Sequence, residues 1–241
     1  DDQKKLNTGA TYMGVRAAKI AQAIRAMVNE VEFDLAGLQS TFSRAYGTAG
    51  STPFGTANDY TDASNVLKIL KDNGSPVSDN QLVLNTSAGA NFIGKQSAVN
   101  SAGTDSMLRQ GVLLDLAGMP LRESAQINNH TAGSAANATT NNAGYAVGAT
   151  VLTLASAGTG ALLAGDVVTF AGDTNKYVVA SGDANVSGGG TITLAAPGLR
   201  KAIGTSATAI TVVGSSARNM AFNRSAIVLA ARAPARPEEG D

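Results

Sequence analysis

The residues Gly89 to Gln96, "GANFIGKQ", have the Gly-x4-Gly-Lys spacing of a phosphate-gripping loop. In such loops bare backbone amides cradle phosphoryl oxygens and the lysine reaches the outer phosphates. The chemistry also needs a serine or threonine after the lysine to hold magnesium, and Gln96 follows Lys95 instead. The run "VLLD", ending at Asp115, imitates the hydrophobic lead into a magnesium-binding aspartate. Between the two glycines, however, Ala90, Asn91, Phe92 and Ile93 suit one buried helical turn better than a cradle of exposed amides. His130, the only histidine, sits beside Asn128 and Asn129 in a small-polar run that offers a general base neither a fixed partner nor a pocket. Glu30 and Asp34 lie one helical turn apart with Glu32 on another face, the pattern of a solvated helix side. There is no Gly-x-Ser-x-Gly elbow and no Asp-x-Asp-x-Asp calcium loop. Cysteine is absent, which removes thiolate metal sites and thiol nucleophiles. The stretch "GDVVTFAGDTNKYVV" places Gly165-Asp166 and Gly172-Asp173 around two apolar runs, as turns bounding a hairpin would, with no lysine or paired carboxylates to grip an ion. The expectation is a chain without catalytic, cofactor-binding or metal-ligating residues, and no enzyme.

The elements that would carry these residues begin with a helix. Met13, Ile20, Ile24, Met27, Val31, Leu35, Leu38 and Phe42 recur at steps of three, four or seven, one apolar stripe about thirty residues long. At ~1.5 Å per residue such a helix spans roughly 45 Å, more than a compact globule of this size would need, and implies an elongated subunit lying against neighbours. Gly37 marks an early end or kink. Lys4, Lys5, Arg16, Lys19 and Arg25 precede the acidic group, so the helix has a basic first half and an acidic second half. A second helix is expected from Thr61 to Asn73, a short buried strand over "DNQLVLN", a short helix over "TSAGANFIG" and a strand over "GMPLRESAQI". Helices and strands without a regular β-α-β rhythm indicate the α+β class.

Composition shifts at "NNHTAGSAANATTNNAG", Asn128 to Gly144, which reads as a linker. Beyond it "ATVLTLAS", "GDVVTFAG", "NKYVVASG", "GTITLAAP" and "TAITVVG" read as five strands of a small all-β barrel or sandwich. The glycine-rich "SGDANVSGGG", Ser181 to Gly190, is expected to be an exposed hairpin tip, the part suited to reach a neighbour. The 18 basic and 18 acidic residues cancel, leaving no bulk attraction toward nucleic acid or acidic membranes. No run approaches the ~18 apolar residues of a membrane span. The start "DDQKKLNTG", without an initiator Met, and the charged end "PARPEEGD" lead to the expectation of an interior piece of a longer chain.

The order of these pieces resembles the tailed-phage major capsid proteins, in the branch where a small β-barrel interrupts the capsid fold. The resemblance runs from about Thr11 to Pro237, and "RQGVLLDLAGMPLRESAQI", "GDVVTFAG" and "AFNRSAIVLAAR" carry it most specifically. It implies a Hong-Kong-97-like α+β fold: residues 1–137 as the first part of the capsid core with the spine helix, 138–214 as the β-barrel insertion domain, and 215–241 as the return of the core. It further implies an N-terminal arm before the spine helix and peripheral strands after "RPEEGD". The implied function is that of a coat subunit that self-assembles as pentamers and hexamers into the shell around phage DNA. The implied partners are other copies of itself, a scaffolding protein and, by non-specific contact, the packaged DNA. Neither membrane nor small-molecule substrate is implied, and the place is the virion, after synthesis in the bacterial host cytoplasm. A non-catalytic binding or adhesion module built around the β-domain is the alternative from another class.

Overall fold

In the computed structural model, residues 12–56, 59–95, 115–230 and 232 are described. Among these residues three helices form, α1 (Tyr12–Gly37), α2 (Thr61–Asp72) and α3 (Thr86–Lys95). They alternate with the strands β1 (Arg44–Ala45), β2 (Asn80–Leu84) and β3 (Leu121–Glu123). The remaining strands are β4 (Asn129–His130), β5 (Val151–Leu154), β6 (Val167–Phe170), β7 (Lys176–Ser181), β8 (Gly190–Leu194), β9 (Ile210–Val212), β10 (Ser216–Ala217) and β11 (Met220–Asn223). The class is α+β.

The first layer is a three-stranded sheet ordered β11-β2-β3, in which β2 runs antiparallel to β11 and parallel to β3. Strand β2 alternates: Leu82 and Leu84 point into a core shared with Phe54, Ala63, Ala88, Phe92, Met119 and Leu121. Phe54 and Tyr60 meet Phe92 edge-on, with ring centroids 5.4 and 5.9 Å apart, a preferred arrangement of ring quadrupoles. The Asn85 side chain caps α3 by accepting the Ala88 amide at 2.9 Å, which satisfies one of the orphan donors of the first turn.

The second layer is the β-domain. Its main sheet runs β5-β8-β7-β6-β9, antiparallel throughout. The period of two sends Leu152, Leu154, Val168, Phe170, Tyr177, Val179, Ile192, Leu194 and Ile210 into one core. The two ends of this sheet are joined by the segment 138–141. Thr140 bridges Leu154 of β5, and Thr139 bridges Ala209 beside β9. The Ile210 and Thr140 amides donate to Ala138 O and Thr208 O at 2.8 and 2.9 Å, and the Asn141 and Ala155 amides to Thr153 O and Thr139 O at 3.0 and 2.9 Å. The sheet is therefore a closed barrel, with no open edge at β5 or β9. The small-polar run read as a linker is a structural stave: Ala138 and Thr140 are buried. Small residues are what the tight approach there requires, and polarity misled because the backbone, not the side chains, does the bonding.

The barrel hangs from the first layer by adjacent strands. Incoming β4 pairs antiparallel with outgoing β10, His130 opposite Ser216 and Asn129 opposite Ala217. The outer face of β6 and β7, Val167 and Val178, packs with Ala195, Ala45 and Val213 where β1 adds to β7.

Helix α1 ends at Gly37, where a 3-10 turn (Leu38–Thr41) takes over, and Phe42 is already extended. Its last turn packs onto the first layer through buried Ala36, whereas Ile20, Ile24, Met27, Val28, Val31 and Phe33 are 41–66% exposed. Of the apolar stripe read from the sequence, Ile20, Ile24, Met27 and Val31 are exposed, while Leu35, Leu38 and Phe42 are half-buried. Among the described residues no helix is long and apolar enough to cross a membrane.

Candidate functional site

The lysine of "GANFIGKQ" stands at the end of a helix rather than at the mouth of a loop. Gly89 lies inside α3 and its amide donates to Asn85 O at 2.9 Å, so it is not free to meet a phosphate. Lys95 Nζ donates to the carbonyls of Thr56 and Asp59 and lies 5.7 and 5.4 Å from the Phe54 and Tyr60 ring centroids. It ties the loop before α2 to the end of α3. Gln96 and most of "VLLD" lie outside the described residues, and Asp115 is exposed. Glu30 and Asp34 are exposed on α1, as are Arg16, Lys19 and Arg25; Lys4 and Lys5 lie outside the described residues. Among the described residues no cluster of histidine and carboxylate side chains could hold a metal.

The structure gives His130 the fixed partner that the sequence did not reveal. Its Nε2 donates to Asp166 Oδ1 at 2.8 Å, and the two side chains are 14% and 0% exposed. Asp166 is the second residue of the first Gly-Asp step. It also accepts the Gly133 amide, at 3.0 Å to Oδ1 and 3.2 Å to Oδ2, and the Leu163 amide at 2.7 Å to Oδ2. Arg218, just after β10, donates Nη1 to Gly165 O. Burial pulls its guanidinium below the ordinary value, while the Asp166 charge opposes that pull. One buried carboxylate thus fastens the incoming strand, the turn ahead of β6 and, through charge, the outgoing strand. A buried carboxylate needs such a set of donors to stay ionised at acceptable cost. The histidine-carboxylate pair clasps the barrel to the first layer.

The second Gly-Asp step forms the β6-β7 turn. Gly172 has φ +78°, which only glycine adopts without strain. Asp173 Oδ1 accepts the Asn175 amide at 2.9 Å, and its Oδ2 accepts the Tyr177 hydroxyl at 2.6 Å. That hydroxyl in turn accepts the Arg200 amide at 2.9 Å. Burial first, then the hydrogen bond to Asp173, push the Tyr177 phenol up to about 12. The Ser181–Gly190 tip is pinned rather than free-standing: the Leu162 amide donates to Asp183 O at 2.8 Å, the Val186 amide to Gly160 O at 2.9 Å, and Val186 is buried.

Between the two layers lies a cleft of about 1140 Å³, walled by β1, the loop 46–56, α2, β6-β7 and β10-β11. Its charged lining is Arg44, Lys176 and Arg218 against the single carboxylate Asp62. The Arg44 side chain is 5% exposed; Nη2 donates to Asn175 Oδ1, and Nη1 lies 3.5 Å from Asp72 Oδ2. Asp166 was read from the sequence only as part of a turn, and Arg44 and Arg218 were not singled out. They are separated from one another by 50 residues or more, and no local spacing announces them. No protein-family model and no curated protein sequence matches this chain.

Proposed function

We propose that the chain is a major capsid subunit of a tailed phage or prophage, with a Hong-Kong-97-like fold interrupted by the β-barrel. The observation that supports this reading best is α1. The 26-residue helix carries Ile20, Ile24, Met27 and Val28 exposed on its outside. An isolated globule gains nothing from such a face, and apolar surface of this kind marks an interaction site. In a closed shell each subunit makes modest contacts with several neighbours, and symmetry makes closure cooperative. The barrel, clasped through Asp166 between β4 and β10, braces the subunit during that process. The resemblance in the order of pieces supplies the rest: assembly as pentamers and hexamers around DNA, directed by a scaffolding protein, with the virion as destination.

The test is co-expression of the coat protein with its scaffolding protein, followed by negative-stain electron microscopy of the sedimented fraction. Closed shells are expected. Protein that stays monomeric under assembly conditions overturns the reading.

A further inference from the structure

The exposed apolar face of α1 is bordered by a charge pattern that the helix by itself does not explain. Ile20, Ile24, Met27, Val28 and Val31 form the face. At ~3.6 residues per turn, Arg16, Lys19, Glu30 and Asp34 fall along one margin of it, and all four are exposed. Within a single helix this arrangement is unfavourable. Arg16 and Lys19, like Glu30 and Asp34, set like charges on neighbouring turns, where they repel. The last turn holds Asp34 and no basic residue, at the negative end of the helix dipole. Among the described residues the ion pairs are Arg44 with Asp72 and His130 with Asp166, and neither offsets a charge of α1.

The pattern becomes favourable when the helix meets itself reversed. Across a two-fold axis perpendicular to two antiparallel helices, each margin faces the same margin of the other copy, end for end. With the axis passing near residue 25, Arg16 and Lys19 of one copy lie opposite Asp34 and Glu30 of the other. The apolar face falls into step with them, Ile24 meeting Met27 and Ile20 meeting Val31. A parallel pair would set basic half against basic half and align the two helix dipoles in the same sense.

We propose that α1 pairs antiparallel with α1 of a second copy of this chain, apolar face to apolar face, with the charged margin selecting the direction. This rests on the shell reading's premise that copies meet through α1, and names the surface that they present to each other.

The experiment uses the full chain, which has no cysteine of its own. Ile20→Cys and Val31→Cys chains are oxidised with copper phenanthroline, each alone and as an equimolar mixture, and run on a non-reducing gel. Cross-linked dimer is expected in the mixture only. In the antiparallel pair Ile20 of one copy stands about 15 Å along the axis from Ile20 of the other, beyond the ~4.4–6.8 Å between Cα atoms that a disulfide spans. Arg16→Glu with Lys19→Glu is expected to weaken the dimer roughly 10- to 100-fold in sedimentation velocity. Mixing that chain with one carrying Glu30→Lys and Asp34→Lys, which repels itself equally, restores the dimer. Should a charge variant lose the native circular-dichroism melt, the cysteine mixture decides by itself. Cross-linked dimer from either cysteine chain alone, or from no sample, overturns the proposal, as does a charge-reversed chain that dimerises like wild type. Shells that assemble with the scaffolding protein but give no cross-link in the mixture overturn the pairing and leave the shell reading intact. Dimer specific to the mixture without shells supports the pairing and sinks the shell reading instead.

Discussion

Asp166 shows how a single side chain determines the joint between two layers. Its carboxylate accepts from His130, from the Gly133 amide and from the Leu163 amide. Asp166→Asn sets an amide N–H₂ against donors and strands at least one of them; about 3 kcal/mol of stability is expected to go, read as a lower urea midpoint. His130→Ala leaves the two backbone donors in place and costs less, about 1 kcal/mol. Equal losses from the two variants would contradict the hub role. Tyr177 gives a pH dependence of definite sign. Its folded value is raised from the ordinary phenol value of 10.0 to about 12, so the fold favours the neutral phenol. That contribution is fully present below pH 10 and is lost as pH rises from about 10 to about 12, where the unfolded chain ionises first. Alkaline unfolding of wild type between those values, followed by tyrosinate absorbance, should be blunted in Tyr177→Phe, which also loses stability at neutral pH because Asp173 and the Arg200 amide lose their partner. At this scale the sequence was legible only where chemistry is local. Gly172-Asp173 reads as a turn because its bonds reach two and four residues away, whereas Asp166 and His130 are 36 residues apart and nothing in either neighbourhood names the other.

Elements were far more legible, because periodicity and breakers act over short windows. The helix at Thr61 ends at Asp72, one residue before its expected limit, and "NQLVL" alternates as β2 with Asn80, Leu82 and Leu84 buried. The five expected strands of the β-domain all form as β5 to β9. What failed was the stave 138–141, whose Ala-Thr-Thr-Asn sequence lacks the large β-branched pattern of a strand and closes the barrel with backbone bonds instead. A piece spanning residues 128–217 is therefore expected to unfold in one cooperative transition, while a piece spanning 145–213 exposes the edges of β5 and β9 and aggregates; circular dichroism and light scattering separate the two outcomes. Gly182 marks a second constraint. A Cβ there would overlap the Leu162 carbonyl, a backbone atom held by the bonds around it, so Gly182→Ala is expected to lower stability by about 2 kcal/mol in a denaturant titration. Lys95→Ala, by contrast, should change no nucleotide affinity, since the lysine is spent on two carbonyls and two rings; a measurable nucleotide complex lost in that variant would revive the phosphate-loop chemistry.

At the scale of the molecule the exposed face of α1 is the feature with the largest consequence. The stripe was legible in full, yet a stripe states only that a face is apolar, not what covers it, and within the described chain only Ala36 near its end is buried. On the proposed capsid reading, Ile24→Glu with Val28→Glu is expected to leave the monomer's melt within about 0.5 kcal/mol of wild type while abolishing shells under the electron microscope. Loss of the monomer fold itself would show that the face is internal. The pairing of β4 with β10 carries a different implication. The chain leaves the first layer and returns to it across one antiparallel ladder, Asn129 opposite Ala217, where paired Cα atoms stand ~5 Å apart. That ladder is a splice junction: a foreign domain whose own ends lie as close could be grafted in place of the barrel, turning the chain into a carrier for it.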